Sequence, residues 1–275
     1  MARGKDDIFM RQIKWLFLLL TAVFFITGCG KEAAQKQTVQ PEHYPGWIEV
    51  KAGNDAEFAV PSEIAVENEE FRRQLEQDAD TDPLVKVILS RDRAIANAQG
   101  SVLLLSTDFT RTPWERGKHY ARISFQTLTS PMKLSRYGQN LGMDAKAIRE
   151  FDNATREGIQ FAVSQGLPEG YQIECRNWTP LKTQIINGVE HLFVTYDLDI
   201  RRQGRTIMIV NVQRWTFLNN DRLHILTAYT NAGDKAYWNA DSRKLSNLVK
   251  TLVITPSVTK GEENGFFGKL KGLFH

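Results

Sequence analysis

Reactive chemistry in this chain of 275 residues would have to start from its histidines, its cysteines or closely spaced carboxylates. Five histidines occur, His43, His119, His191, His224 and His275, and no two stand at a sequence spacing suited to sharing a metal ion. His191 and His224 fall on strands separated by one other, so their backbones lie about 9.6 Å apart, two interstrand steps. Zinc needs ring nitrogens about 2.0–2.1 Å away, so both read as ordinary strand histidines and no metal site is assigned. Asp197 and Asp199 share one strand face, the pattern of a paired-carboxylate site. Half-exposed strands produce the same alternation, and the pair reads as a solvated face beside the basic turn Arg201–Arg205. No GxSxG elbow, HExxH, CxxC or GxxxxGK[ST] phosphate loop occurs. The sequence therefore points to no catalytic residue, no cofactor and a non-enzymatic role.

The elements that position these residues are legible from periodicity. Trp47–Val50 and Glu57–Pro61 read as a small opening hairpin. Glu67–Gln77 and the stretch from Pro83 to Gln99 read as helices. Ser101–Ser106, a short continuous apolar run, suits a central strand covered on both faces. His119–Leu128 alternates, with Ala121, Ile123 and Phe125 on its apolar face and Tyr120, Arg122 and Ser124 on the other. Asp144–Gln165 is the best-defined helix, its stripe being Ile148, Phe151, Thr155, Ile159 and Ala162, with Gly166 and Pro168 as stop signals.

From Tyr171 the chain reads as a meander. Asn187-Gly188 is a strong two-residue hairpin signal between Leu181–Ile186 and Val189–Ile200. The turn Arg201–Arg205 leads into Thr206–Phe217, and Asn219-Asn220-Asp221 into Arg222–Thr230. Leu192, Val194, Tyr196, Leu198 and Ile200 mark one dry face, Thr195, Asp197 and Asp199 a wet one. A closing helix from about Asp241 to Leu252, with Leu245, Leu248, Val249 and Leu252 as its stripe, is expected to cover the dry face. Trp178, Tyr196, Trp215, Phe217, Tyr229, Tyr237 and Trp238 read as core. The alternative is an apolar pocket for a lipid or hydrophobic peptide between the sheet and the long helix, which would make the protein a carrier.

Upstream, Arg11 and Lys14 precede an apolar run from Trp15 to Ile26 that closes on Ile26-Thr27-Gly28-Cys29. A bilayer span needs about 20 apolar residues, so this shorter run reads as a signal segment, and it resembles the lipobox of bacterial lipoproteins. The resemblance implies a diacylglyceryl thioether on Cys29, cleavage after Gly28 and an acylated N-terminus at Cys29, with residues 1–28 as signal peptide. Their removal takes away Arg3, Lys5, Arg11, Lys14, Asp6 and Asp7, so the whole chain's charge of +3 falls to near neutrality. Such a surface offers no general field for nucleic acid. With Cys29 acylated, Cys175 has no disulfide partner and reads as a buried, inert thiol.

Residues 29–46 read as the lipidated cysteine and a flexible tether, 47–254 as one α+β domain, and 255–275 as a linker and tail. The sheet-and-helix pattern looks like the PsbP-like fold shared with DcrB-type envelope lipoproteins. The residues carrying the likeness are Glu57–Pro61, Ile185–Val189 running into Leu192–Leu198, Arg222–Tyr229, Tyr237-Trp238 and Lys250–Val253. It implies a twisted antiparallel sheet, a meander in its second half, flanked by helices in a sandwich, and proteins that serve as accessory or assembly factors.

Two surface features remain. Arg201, Arg202 and Arg205 crowd one hairpin tip, where a solvated turn competes with contact to anionic headgroups or wall polymers. In the tail, Phe266, Phe267, Leu270, Leu273 and Phe274 share a helical face with Lys269 and Lys271 away from its centre. That pattern fits docking on a membrane interface, on an envelope protein partner or on the chain's own domain. The expected protein is thus a lipid-anchored accessory domain on the extracytoplasmic side of a bacterial membrane.

Overall fold

The computed structural model describes residues 41–53, 56–107, 119–129, 145–219 and 222–254. Strand β1 (Trp47–Ala52) folds back on β2 (Ala56–Pro61), with Val50 opposite Phe58 and Ile48 opposite Val60. Strand β11 (Val253–Ile254) pairs with β2 on its other side, so the last described residues complete the sheet that the first ones open.

The second sheet has eight strands: β3 (Ala65–Val66), β4 (Gly100–Ser106), β5 (Ala121–Thr129), β6 (Tyr171–Arg176), β7 (Lys182–Ile186), β8 (Val189–Arg202), β9 (Arg205–Asn219) and β10 (Arg222–Asn231). Their order is β3-β4-β5-β10-β9-β8-β6, with β7 also paired to β8, and every pairing is antiparallel. Two tight turns set the register. Asn187 (φ 52°) and Gly188 (φ 76°) join β7 to β8, and Gln203 (φ 49°) and Gly204 (φ 76°) join β8 to β9. Positive φ at both central residues is what a two-residue hairpin matched to strand twist requires.

Helix α1 (Glu69–Gln77) starts where the Asn68 side chain accepts a hydrogen bond from Phe71 N at 3.1 Å. Helix α2 (Pro83–Gln99) begins on a proline, which forfeits no hydrogen bond at that position. Helix α3 (Ala145–Ser164) stops before Gly166, whose φ of 60° turns the chain away. Arg91 of α2 donates to the Gln165 carbonyl, tying the second helix to the end of the third.

Side chains alternate across the large sheet, and both of its sides are covered. On one side Leu105, Ile123, Phe125, Trp215, Phe217, Leu226 and Ala228 form a core with Val50, Phe58 and Val60 of the small sheet. The Phe58 and Phe125 rings stack at 5.7 Å. On the other, Ile173, Val194, Tyr196, Val210 and Val212 join a core with Leu84 and Ile88 of α2 and Ile159 and Val163 of α3. Phe151 of α3 meets Leu181 and Leu192. The fold is α+β: a small sheet, a large antiparallel sheet and a helical layer. Each large side chain sealed in these cores contributes about 1.5–3 kcal/mol.

Several expectations need correction. The predicted closing helix over 241–252 is instead a 3₁₀ segment, Leu245–Lys250, and the nearest α-helix is the short α4 (Lys235–Trp238) before it. Leu245, Leu248 and Thr251 recur every third residue and are all buried, which suits three residues per turn. That segment lies against the Phe217 side of the sheet, not against Val194 and Tyr196. The wet face is dry along half its length, with Trp215 and Phe217 sealed. Strand β4 is covered on both sides but is not central, since only the two-residue β3 lies beyond it. The tether is fixed from Glu42 onward: Glu42 N donates to Lys250 O at 3.2 Å, and Trp47 Nε1 to Ser242 O at 2.6 Å.

Candidate functional site

At the β8–β9 tip the two aspartates are enclosed by donors instead of facing water as a bare pair. The Asp199 carboxylate takes Arg201 Nε at 2.9 Å, Arg176 Nη1 at 3.1 Å and Thr206 Oγ1 at 2.9 Å, and its side chain is only 3% exposed. Asp197 accepts from Asn177 and Asn211 at 2.7 and 2.9 Å. Glu174 closes the group, its pKa lowered by the hydrogen bond from Arg176. Asp199 is thus sealed by its donors, against the solvated-face expectation, while Asp197 is half-buried and held by two asparagine amides. Arg201 is thereby engaged, and Arg202 sits 3.8 Å from Asp82 and over the Tyr171 ring. Tyr171 donates to Asp82 at 2.6 Å, and burial, with that bond second, pushes it up to about 12. Of the three arginines, Arg205 is exposed, with no such partner among the described residues.

A second charged group lies beneath α1 and α2, where sequence reading saw only the polar face of a strand. Arg122 donates to both oxygens of Glu67, at 2.6 and 3.0 Å, and to Asp92 at 2.7 Å. Arg72 reaches the same Glu67 at 3.2 Å and Asp92 at 3.2 Å. Burial works against the charge on Arg122, but Asp92 and then Glu67 outweigh it and raise its pKa. Two arginines share Glu67 and Asp92, and Arg72 also reaches the exposed Glu69 at 3.1 Å, so the group pins the helices to the sheet. No single local signal announces it; the spacing of Arg72 after Asn68 and Glu69 marks a helix start and nothing more.

His191 and His224 flank Phe217, with ring centroids 4.6 and 5.2 Å from it. Both are buried. His191 Nδ1 lies 2.8 Å from the Val189 carbonyl and so carries the proton; burial lowers the pKa to about 4. His224 Nδ1 pairs with Thr127 Oγ1 at 3.1 Å. The intervening phenyl ring keeps the imidazoles apart, and among the described residues no group of three metal-ligating side chains assembles. Cys175 is buried and its thiol is pushed up to about 11 by burial, the inert state expected.

The helical side of the large sheet holds an unusual polar row. Register places Ser124 of β5, Thr227 of β10 and Arg214 of β9 side by side, flanked by Leu104 and Val194. Burial raises the Tyr196 pKa, to which Tyr229 adds, while a hydrogen bond from Arg214 opposes them. Ser106 Oγ, Ser124 Oγ, Thr155 Oγ1 and Arg214 Nε are sealed there without a hydrogen-bond partner. The lipidation candidate Cys29 and the tail candidates Phe266, Phe267, Lys269, Leu270, Lys271, Leu273 and Phe274 lie outside the described residues.

No family model matches the chain, and no curated protein does. Among solved structures it is similar to cyanobacterial PsbP (CyanoP) from Synechocystis sp. PCC 6803, at 12% identity over 84% of this chain and 99% of that one, with a TM-score of 0.34. It is also similar to LpqN of Mycobacterium tuberculosis, a protein involved in cell envelope biogenesis, at 11% identity over 76% of this chain and 91% of that one, with a TM-score of 0.33.

Proposed function

We propose that this protein is a lipid-anchored, non-enzymatic accessory or assembly domain of the bacterial cell envelope, mounted by acyl chains on Cys29 with the Asn187 end of its large sheet toward the bilayer. One observation carries the orientation: both ends of the described chain converge at that end. Glu42 N bonds Lys250 O, Lys250 Nζ lies 3.5 Å from Glu42, and Asn187 Nδ2 donates to Lys250 O and Leu252 O at 2.8 and 3.3 Å. The 13 residues from Cys29 to Glu42 reach at most about 43–47 Å. The tail begins after Ile254, beside the same end, so its apolar face (Phe266, Phe267, Leu270, Leu273, Phe274) would meet the surface that receives the lipid, or a partner standing on it.

The arginine tip belongs to the other end. Strand β8 runs from Val189 to Arg202, up to about 44 Å of extended chain. Arg205 therefore faces away from the anchoring bilayer, toward wall polymer or a partner across the envelope, and the tail and tip are separate contact surfaces. In support of a non-enzymatic role, arginines engage Glu67, Asp92 and Asp199, and two asparagines hold Asp197.

Two measurements test this. A clickable fatty acid fed to cells should label the wild-type chain and leave Cys29→Ser unlabelled and released from membranes; equal labelling and retention would overturn the anchor. In vesicles containing brominated lipid, a fluorophore on Lys244→Cys should be quenched and one on Gln203→Cys should not. Equal or reversed quenching would overturn the orientation.

A further inference from the structure

We infer that helix α3 guards the open edge of the large sheet, with Gln160 standing where a strand of a second copy of this chain would otherwise add. The role is independent of how the protein is held in the envelope. Strands β6 and β7 share one side of β8, so their far sides form the boundary of the sheet. Along β6 the Cys175 N–H points outward, donating to Gln160 Oε1 at 2.8 Å, and the Ile173 carbonyl accepts from Gln160 Nε2 at 3.2 Å. One side-chain amide thus supplies the acceptor and the donor that a neighbouring strand would bring. About two helical turns earlier on α3, Asp152 accepts from Leu181 N at 2.8 Å and from Trp178 Nε1 at 2.9 Å, closing the stretch between β6 and β7.

The edges differ in their need of a cover. A row of unpaired N–H and C=O groups is a template for another chain, and very short or lysine-bearing edges resist it unaided. At the opposite boundary β3 has two residues, and β7 has five, opening on the exposed Lys182. Strand β6 has six, with Tyr171, Ile173 and Cys175 buried and Gln172, Glu174 and Arg176 exposed in strict alternation. Its two charges are bonded to each other at 2.7 Å. Identical edges are self-complementary about a two-fold axis. Centred on Glu174, antiparallel pairing sets Ile173 opposite Cys175 of the second copy, each pair exchanging both backbone bonds, and Glu174 opposite its twin at a Cα separation of about 4.5 Å. The backbone groups used are those that Gln160 occupies.

The test compares the full chain carrying Glu174→Cys with one carrying Glu174→Cys and Gln160→Leu, both in non-ionic detergent. Leucine keeps bulk and helix propensity but offers no hydrogen bond, and the expected Cα separation suits a disulfide. With concentration, the light-scattering mass of the double variant should rise from one copy toward two, and mild oxidation should then trap a dimer through residue 174. Glu174→Cys alone, which already lacks the like charges at the two-fold centre, should stay monomeric. In Gln160→Leu, diluted to single copies, the Cys175 amide should exchange its hydrogen about fivefold faster than in wild type, the worth of one hydrogen bond. If leucine prevents folding, Gln160→Glu, which keeps the acceptor for Cys175 N–H and loses the donor, replaces it. A folded double variant that stays monomeric, a dimer that forms equally with Gln160 intact, or association that residue 174 does not crosslink would each overturn the assignment.

Discussion

Replacing His191 by phenylalanine should change the pH dependence of stability and little else. The imidazole is 2% exposed, its Nδ1–H is spent on Val189 O, and its Nε2 is sealed with no partner. Protonating Nε2 would create a second buried donor and a positive charge, with Phe217 on one side and His224 beyond it. The native imidazole is accordingly held at about 4 against an ordinary value of 6.5, with burial as the main cause. Between those values the unfolded chain binds a proton that the native chain refuses, so native stability falls as pH drops through 6.5 and levels off below 4.

At about 1.36 kcal/mol per pH unit, the full loss is about 3 kcal/mol, and about 2 kcal/mol of it is already gone at pH 5. Phenylalanine keeps the ring against Phe217 but gives up the bond to Val189 O, worth about 1 kcal/mol. Urea unfolding of wild type and His191→Phe at pH 8 and pH 5 isolates the effect, because titrating carboxylates act on both. The variant should be slightly less stable at pH 8. Relative to wild type it should gain about 2 kcal/mol on going to pH 5. A stability difference that stays constant across that range would refute the buried-neutral assignment.

The other predictions follow from individual contacts. Arg122→Leu leaves Glu67 and Asp92 sharing one cation under the helices and should cost about 3 kcal/mol in urea unfolding; adding Glu67→Leu should recover part of that loss. Asn187→Ala removes two hydrogen bonds to the Lys250–Leu252 segment and puts alanine at a φ of 52°, costing about 2 kcal/mol. Cys175 should resist a thiol reagent at pH 8 in the native protein and react at once in urea, its buried thiol being held near 11.

How much of this was legible in the sequence depended on where the determinants sit. Asn187-Gly188 encodes its turn because the conformational demand falls on those two residues alone. The stripe of α3 and its stop at Gly166 are equally local. The 3₁₀ segment reads as an α-helix in sequence because Leu245, Leu248 and Leu252 fit a spacing of 3.6, while the three-residue repeat needs the polar Thr251, and the choice is made by packing against β2 and the Phe217 core. Leucines in β4 could announce burial on both faces but not the strand's place in the sheet.

Polar strand faces were the harder case, since alternation reports only that a side chain is polar. Arg122 and Asp199 both alternate with apolar residues as a solvated position would. Arg122 finds its counter-charges 55 and 30 residues away in sequence, and Asp199 draws on Arg176 from another strand. Buried charge is legible in three dimensions because compensation is a relation between distant residues, which the type of any one residue cannot reveal.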